Sequence, residues 1–395
     1  MTNSIRLVHT ADIHLGTPFS ALPELAAMLQ QEQLQLFMNM IDHCRQTDAD
    51  ILLIAGDMFE QAIPDPSLTG AVSEAFRLLS KTRIFIAPGN HDPVFPDSPW
   101  LKNSWPDNVH VFRTGLEKAA LDDLKTCVYG AAFCSTAAVK PLTGHQTPDL
   151  DATKINILLL HGDLVGPGQT SVYNPVDKGW LQHSGFDYVA LGHVHKGHDI
   201  PERMPQSDTL FAYSGCPAGR GFDEAGKRGI ISGSLIRVEQ PGLSGRGFRV
   251  DHNLCQTSLP GRQYKLLDID ISGCQNHDDI YLAVRDGIRH SGAAWQQDLF
   301  KIILSGAIDD NLQPSPALLQ SRLAPDVFFC KITDRTTRAY NLTALSGEHS
   351  LMGAFVRRVL GQDEPDWSKL SAEKIQMLQS GLQAFEGEVL YREAD

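Results

Sequence analysis

The chain has 395 residues, of which 42% are hydrophobic and 21% are charged. These proportions are typical of globular proteins and exclude a disordered or fibrous chain, and the length indicates roughly two or three domains. With 34 Lys and Arg against 47 Asp and Glu, the formal charge is −13, which argues against a protein that coats nucleic acid through a basic surface.

The first half of the sequence alternates short apolar runs with helical patterns. Helical spacing of apolar residues predicts helices at Glu24–Arg45 and Ser67–Ser80. Strands are predicted at Ile5–His9, Ile51–Ala55, Ile84–Ala87, Val109–Phe112, Val128–Phe133, Ile157–Leu160, Tyr188–Leu191, Thr209–Ser214 and Gly229–Val238. This alternation is typical of an α/β sandwich and not of an all-β fold.

The second half follows a stretch rich in Gly and Pro, Pro241–Gly261, which we interpret as a linker. After it, strands are predicted at Tyr264–Ile271, Leu299–Ser305 and Val327–Thr333, and helices at Asp278–His290 and Ala317–Leu323. We therefore expect four segments: a large domain (1–240), a linker (241–262), a small α+β domain (263–344) and a helical tail (345–395).

The tail contains one apolar seam, in which successive residues are 3, 4, 3 and 4 positions apart. Its members are Ile375, Leu378, Leu382, Phe385 and Val389. Such a seam indicates a helix that packs against another helix, either of a partner or of its own domain.

Compartment and membrane association follow from simpler features. The first residues lack the basic and apolar regions of a signal peptide, and no apolar run reaches the roughly 18 residues that span a membrane. The seven cysteines are odd in number and have no C-x-x-C spacing, a pattern that fits neither a disulfide framework nor a zinc knuckle. We expect a cytoplasmic protein with no membrane segment.

Five short polar motifs follow predicted strands. They are Asp12-Ile-His14, Gly56-Asp57, Gly89-Asn90-His91-Asp92, His161-Gly162-Asp163 and Gly192-His193-Val194-His195. Because the loops at the carboxyl ends of strands converge in α/β sheets, these motifs are expected to share one site. The remaining histidines, such as His9, His110 and His145, lack this context and are interpreted as ordinary structural residues.

Carboxylate, imidazole and amide groups together are a ligand set that suits Mn, Fe or Zn better than Ca. Two such ions about 3.5–4 Å apart can activate a water molecule and hold a phosphoryl group. Hydrolysis of a phosphate ester is the reaction that this set favours. The glycines at 56, 89 and 192 would let the backbone approach the site closely.

With these motifs the sequence resembles the calcineurin-like metallophosphoesterase superfamily, whose fingerprint D-x-H, G-D, G-N-H-[DE], H and G-H-x-H it matches in full. Further blocks resemble the DNA repair exonuclease branch, the SbcD-type nuclease subunits. Those blocks are Thr10–Gly16, Gly56–Glu60, Tyr188–Lys196, Tyr213–Pro217, Gly221–Glu224 and Lys227–Gly229. The resemblance implies a four-layer α/β/β/α metallophosphoesterase sandwich with a small α+β cap domain and a helical C-terminal tail.

The resemblance also implies a role for each matched residue. Two divalent metal ions are implied, most often Mn²⁺ in this family, with Fe²⁺ or Zn²⁺ as alternatives. One ion would be held by Asp12, His14 and His195, the other by Asn90, His161 and His193, with Asp57 bridging both. His91 would be the catalytic general acid, and a metal-bridging hydroxide would attack phosphorus in line. Asp92 and Asp163 would orient neighbouring histidines.

The implied function is that of a DNA exonuclease or endonuclease subunit in DNA repair. The resemblance implies DNA as substrate, a homodimer, a cap that positions DNA, and a tail that docks on a separate SMC-like coiled-coil ATPase. The chain itself has no G-x-x-x-x-G-K-[ST] phosphate loop. Two alternatives remain open: a phosphodiesterase or phosphatase for a small substrate such as a cyclic nucleotide, and a scaffold subunit of an ATPase complex.

Overall fold

The computed structural model describes residues 4–144, 148–240, 246–309 and 312–385. The strands are β1 Ser4–Thr10, β2 Ile51–Ile54, β3 Arg83–Ile86, β4 Val109–Val111, β5 Glu117–Leu121, β6 Thr126–Gly130, β7 Ile155–His161, β8 Leu164–Val165, β9 Val176–Asp177, β10 Tyr188–Gly192, β11 Glu202–Arg203, β12 Leu210–Tyr213, β13 Ile230–Glu239, β14 Phe248–His252, β15 Cys255–Thr257, β16 Tyr264–Asp270, β17 Leu299–Ser305, β18 Ala307–Ile308, β19 Phe329–Asp334 and β20 Thr337–Arg338.

The helices alternate with these strands in the first half of the chain and cluster at its end. They are α1 Ala26–Gln46, α2 Pro66–Arg77, α3 Pro99–Lys102, α4 Lys178–His183, α5 His277–His290, α6 Pro316–Leu323, α7 Leu342–Gly347, α8 Leu351–Leu360 and α9 Ala372–Phe385. Local sequence sets several of their starts. At α2, for example, the Asp65 side chain accepts the Ser67 N–H and Pro66 occupies the first turn, where its missing N–H costs nothing.

The chain divides into two compact units. The first comprises residues 1–266, 294–301 and 326–329, and the second comprises 267–293, 302–325 and 330–395. Within the described residues the first unit contains two large sheets, ordered β14-β13-β1-β2-β3-β4, with β15 also paired to β13, and β11-β12-β10-β7-β6-β5. Strands β1 to β4 are parallel to one another, as are β6, β7, β10 and β12.

The two sheets pack face to face, because alternate residues of their strands enter one shared core. Ile51 and Leu53 of β2 lie in the same apolar cluster as Ile157 and Leu159 of β7. The residues between them point the opposite way, as a side-chain period of two requires. Thus Leu52 belongs to the cluster on the outer face of its own sheet.

Helices cover both outer faces. Phe37 and Met40 of α1 pack with Val72 and Phe76 of α2 against the first sheet. Leu181 of α4 packs against the second sheet. The first unit is therefore an α/β/β/α sandwich, and the predicted fold class is confirmed.

Residues 248–257, which the Gly- and Pro-rich pattern assigns to a linker, form β14 and β15 on the edge of the first sheet. Apolar Phe248, Val250 and Leu254 enter the sandwich core, and this tertiary burial outweighs the local turn signals. Residues 241–245 lie outside the described residues. The short edge strand β5 was also not predicted, because its residues alternate between exposed and partly buried and none is fully buried. The proposed domain boundaries stay predictions.

The second unit has an α+β part and a helical part. Its main sheet has the order β16-β17-β19, and α5 and α6 are linked by an ion pair of 2.7 Å between Asp278 and Arg322. On α5, Asn276 accepts the N–H groups of Asp278 and Asp279 as the helix cap.

The predicted seam of the tail is used within this unit. Leu378 and Leu382 of α9 are fully buried in a cluster with Val356 and Leu360 of α8. The Phe355 and Phe385 rings also meet, with centroids 5.6 Å apart. Of the two alternatives, packing within its own domain accounts for these residues. Val389 lies outside the described residues.

Among the described residues, no helix has the length and apolar character needed to cross a bilayer.

Candidate metal centre

Five parallel strands deliver polar side chains to one region of the first unit. Asp12 follows β1, Asp57 follows β2 and Asn90 follows β3 of the first sheet. His161 ends β7 and His193 follows β10 of the second sheet, where Gly192 pairs with His161 in register. The carboxyl ends of both sheets thus contribute to a single cluster, as the strand pattern predicted.

Asp57 lies at the middle of this cluster. Its Oδ2 atom is 3.3 Å from Nε2 of His161 and 3.7 Å from Nε2 of His14. All three side chains are at most 2% exposed. Burial opposes ionisation of Asp57, but the positive fields of His161 and His14 outweigh it and hold the pKa of Asp57 below its usual value. One carboxylate oxygen between two imidazole nitrogens is the placement expected of a bridging ligand.

Asp12 contacts both His161 and the last polar motif, Gly192-His193-Val194-His195. Its Oδ1 atom is 3.9 Å from Nε2 of His195 and 4.0 Å from Nδ1 of His161. Its carboxylate also accepts the backbone N–H of His193, at 3.1 Å from each oxygen. Ligand atoms of Asp12, His14 and His195 all lie within 4.8 Å of one another, and so do those of Asp12, Asp57 and His161.

Asn90 and His193 lie on the other side of Asp57. Asn90 Oδ1 is 3.0 Å from Nε2 of His161, and the His193 ring centroid is 5.2 Å from that of His161. Burial, reinforced by the field of His161, lowers the pKa of His193. The structure thus brings all seven predicted ligands together, and their assignment as ligands stays a prediction.

The contacts of the ring nitrogens fit metal binding. Nδ1 of His161 faces the carbonyl oxygen of Ala55 at 2.8 Å, and Nδ1 of His14 faces Oε2 of Glu60 at 2.9 Å. With each Nδ1 directed to an oxygen, the Nε2 atoms of both rings are turned toward Asp57. Nε2 of His14, like Nδ1 of the same ring, is buried and makes no hydrogen bond within the described part of the chain. A divalent cation between these nitrogens and carboxylate oxygens would satisfy them.

The Asp57 charge also affects the neighbouring ring. Burial disfavours the protonated form of His161, but the Asp57 carboxylate outweighs burial and raises the pKa of His161 to about 9. A cation that binds here must therefore displace a proton in neutral solution.

The backbone at the strand ends is constrained. Asp12, His14 and Asp57 have φ values of 52°, 51° and 50°, in a left-handed region that is unfavourable for side-chain-bearing residues. At Gly89, a Cβ atom would lie 2.2 Å from Oδ1 of Asp57. The close approach expected of this glycine is therefore real.

His91 differs from the other histidines of the cluster. Its side chain is 40% exposed, and its Nδ1 lies 3.2 Å from the carbonyl oxygen of Glu60. The backbone N–H of His91 donates to Oδ1 of Asp57. The ring stands edge-on to His14 at a centroid distance of 4.8 Å. His91 thus lies beside the cluster and is more exposed than His14, His161, His193 and His195.

The two acidic residues expected to orient histidines behave differently. Asp163 Oδ1 is 3.6 Å from Nε2 of His193, beyond a direct hydrogen bond, and its Oδ2 accepts the Ser171 hydroxyl. Asp92 accepts the backbone N–H groups of Gly89, Met58 and Phe59. It therefore joins the loops after β2 and β3 and does not orient a ring, because buried N–H groups need an acceptor.

Three charged residues beside the cluster had no predicted role. Glu60 contacts His14, Glu224 Oε1 lies 2.5 Å from Nδ1 of His195, and Arg220 contacts both carboxylates. Burial opposes ionisation of Glu224, yet the hydrogen bonds from His195 and Arg220 keep its pKa below the usual value. Glu60 and Glu224 end two of the sequence blocks that resemble the nuclease branch, which was the only signal for them.

Comparisons with known proteins agree with this geometry. Residues 5–197 match the model of the calcineurin-like phosphoesterase family. The chain is 25% identical over 366 residues to an uncharacterized metallophosphoesterase, YhaO, of Bacillus subtilis, an alignment that covers 87% of this chain and 85% of that protein.

Two further relatives match a smaller share of their length. Identity is 26% with the D subunit of the nuclease SbcCD of Staphylococcus epidermidis, over 56% of this chain and 63% of that protein. It is also 26% with the DNA double-strand break repair protein Mre11 of Methanopyrus kandleri, over 60% of this chain and 57% of that protein. The chain thus spans about three fifths of these two relatives.

The family uses a dimetal centre, and the cluster described above supplies suitable donors at the ends of the matched strands. Residues 5–197, just under half of the chain, are therefore similar to the calcineurin-like phosphoesterase family.

Proposed function

We propose that the protein is a dimetal-dependent nuclease subunit that hydrolyses phosphodiester bonds of DNA and acts in DNA repair. The observation that carries the proposal is the buried group of carboxylate, imidazole and amide donors around Asp57, with one exposed imidazole, His91, beside it. Two divalent ions bound there would lower the pKa of a water molecule and neutralise charge that develops on the phosphate. We propose Mn²⁺, and the same donors also suit Fe²⁺ or Zn²⁺.

The chain's own residues have separable tasks in this proposal. Asp12, His14 and His195 would hold one ion, Asn90, His161 and His193 would hold the other, and Asp57 would be shared between them. His91 donates a proton to the leaving oxygen, for which its Nε2 edge is free because Nδ1 faces the Glu60 carbonyl oxygen. A positioned general acid of this kind contributes roughly 10²–10⁴-fold to the rate.

DNA as the substrate is supported by two of the relatives, whose names are those of a nuclease subunit and a DNA double-strand break repair protein. The formal charge of −13 implies that the chain alone binds DNA weakly and with strong dependence on salt. We therefore propose that it acts with a separate coiled-coil ATPase subunit, and as a homodimer, so that other surfaces contribute to the grip on DNA.

The proposal is tested with the purified full chain, Mn²⁺ and end-labelled single-stranded and double-stranded DNA. Asp57→Asn should abolish cleavage. His91→Asn should slow DNA cleavage by about 10²–10⁴-fold. The same variant should slow hydrolysis of bis-p-nitrophenyl phosphate much less, because p-nitrophenolate leaves without a proton.

The matched control is His183→Asn. His183 is also exposed and also directs Nδ1 to a backbone carbonyl, that of Gly179 at 2.8 Å, but it lies on α4 outside the cluster. It should cleave DNA like the wild type. If the protein hydrolyses cyclic nucleotides but does not cleave DNA, the small-substrate alternative replaces the proposal. Full activity of Asp57→Asn would exclude a dimetal mechanism.

A further inference from the structure

A continuous chain of ion pairs joins two histidines of the candidate metal centre through their outer nitrogens. Nδ1 of His14 lies 2.9 Å from Glu60 Oε2, which is 3.3 Å from Nη1 of Arg220. Nη2 of the same guanidinium lies 2.8 Å from Glu224 Oε1, which is 2.5 Å from Nδ1 of His195. We call Glu60, Arg220 and Glu224 the Glu–Arg–Glu bridge.

The bridge is well fixed and mostly shielded from water. The side chains of Glu60, Arg220 and Glu224 are 22%, 19% and 10% exposed. Glu224 Oε2 also accepts the backbone N–H of Arg220 at 2.8 Å, and the Glu224 carbonyl accepts Nε–H of Arg228 at 3.0 Å. An ion pair with several anchored hydrogen bonds loses little entropy on forming, unlike an isolated surface pair.

The bridge supports only one of the two sets of ligands. His14 and His195 belong with Asp12 to the first set, and both have a carboxylate behind the ring. In the second set, His161 has a neutral backbone carbonyl behind it and Asn90 is uncharged. The carboxylate beside His193, that of Asp163, lies 3.6 Å from the ring and is too far for a direct hydrogen bond. The two metal positions therefore differ in the support of their imidazoles, although they share Asp57.

We propose that Arg220 is a positioning residue for the metal position formed by Asp12, His14 and His195. It holds Glu60 and Glu224 in place, and its Nη2 also lies 2.9 Å from Nδ1 of His195. It thereby fixes the orientation of both histidines and so raises metal affinity at that position alone. This inference rests on the dimetal centre of the proposed function but not on DNA as the substrate.

Positioning and simple charge predict opposite results for Arg220→Met. Removal of a nearby positive charge by itself would strengthen cation binding. Loss of the support behind the two rings weakens it, and loss of such outer partners costs about 10–100-fold in metal affinity. We expect the second effect to prevail, because Arg220 is the residue that links the two carboxylates.

The test is calorimetric titration of metal-free full-length protein with Mn²⁺, with electron paramagnetic resonance to count isolated and coupled ions. The wild type should bind two ions. In Arg220→Met, one ion should bind about 10–100-fold more weakly and the other should be unchanged. Asn90→Ala removes a proposed ligand of the other position, so this variant should bind one ion. Adding Arg220→Met to Asn90→Ala should then weaken the binding of that remaining ion.

Arg246→Met is the matched control, because Arg246 makes a comparable pair with Asp187, at 2.6 Å, in the same unit but outside the cluster. It should leave both Mn²⁺ affinities unchanged. If Arg220→Met does not fold by circular dichroism, Glu224→Gln replaces it and should show the same selective loss.

Two ions bound with unchanged or stronger affinity in the Arg220 variant would overturn the inference and leave the dimetal centre standing. An equal fall in the affinity for both ions in Arg220→Met, or the same fall in Mn²⁺ affinity in the Arg246→Met control, would also overturn it. Failure of the wild type to bind Mn²⁺ would instead remove the dimetal centre on which the proposed function depends.

Discussion

Oδ2 of Asp57 lies 3.3 Å from Nε2 of His161, and the outer nitrogen of the same ring faces the Ala55 carbonyl oxygen at 2.8 Å. This pair joins a carboxylate from one sheet to an imidazole from the other. It is the point at which the two halves of the sandwich would share a cation.

We therefore expect Mn²⁺ to stabilise the folded chain through Asp57. At a free Mn²⁺ concentration of about 100 times Kd, binding to one site should add about 2.7 kcal/mol to the free energy of unfolding. Asp57→Asn should lose most of this gain, and EDTA should reverse it in the wild type. Urea unfolding with and without Mn²⁺ measures the effect. Asp199→Asn, which changes an exposed carboxylate of the same unit, should retain the gain. If Mn²⁺ stabilised Asp57→Asn as much as Asp199→Asn, the proposed bridging role of Asp57 would be contradicted.

His9 should make stability depend on acid pH. It is fully buried, with Nδ1 2.8 Å from the Tyr188 hydroxyl, and burial lowers the pKa of His9 from 6.5 to about 3. Since the unfolded chain takes up the proton first, stability that is present above pH 6.5 is lost as the pH falls toward 3, by up to about 1.4 kcal/mol per pH unit.

His9→Asn tests this dependence and keeps a polar atom near Tyr188. The free energy of unfolding is measured for both proteins from pH 7 to 4.5. The variant should be less stable at pH 7, but the difference should shrink as the pH falls. Parallel curves would show that His9 does not contribute to acid sensitivity.

Gly89→Ala should damage the metal centre. The added Cβ would meet Oδ1 of Asp57 at 2.2 Å and the Asp57 backbone nitrogen at 2.6 Å, so the bridging residue must move. We expect Mn²⁺ affinity to fall by at least about tenfold, since ligand geometry is critical. Gly70→Ala is the control: Gly70 is an exposed residue of α2 with no atom within 4 Å of its added Cβ. It should raise stability by about 0.5–1 kcal/mol and leave Mn²⁺ binding intact.

Leu378→Ala should destabilise the second unit. Leu378 is fully buried among residues of α8 and α9, and truncation of such a leucine costs about 2–5 kcal/mol. Its neighbour Met377 is 50% exposed, and Met377→Ala should change stability by less than about 0.5 kcal/mol. Hydrogen exchange of α9 in the full chain reports both effects. If Leu378→Ala and Met377→Ala had similarly small effects on stability, the apolar seam of α9 would not be packed within the unit.

The positions of the buried sandwich strands along the chain could be predicted from the sequence, because continuous apolar runs of four to seven residues mark strands buried on both faces. The edge strands β5 and β11 were missed, since partly exposed residues carry no such run. The strands β14 and β15 were missed because Gly and Pro nearby indicate turns, whereas burial of Phe248 and Leu254 against the opposite sheet decides the matter.

The tail illustrates the same limit. Apolar spacing of Leu378 and Leu382 predicted that a helix would pack on another helix, but the spacing cannot name the partner. Gly381 contributes to the answer, because a Cβ there would lie 2.1 Å from the Phe355 ring. Only a glycine lets α8 approach α9 this closely.

The fold class and the polar residues at the strand ends follow from the amino-acid sequence alone, because both depend on local period and on residue types next to apolar runs. The tertiary structure decided how those residues are supported. Glu60 and Arg220 are 160 positions apart, and nothing in the local pattern of either residue indicates that they meet. The orientation of His14 and His195 depends on that meeting, since the groups that contact their outer nitrogens come from segments that only folding brings together.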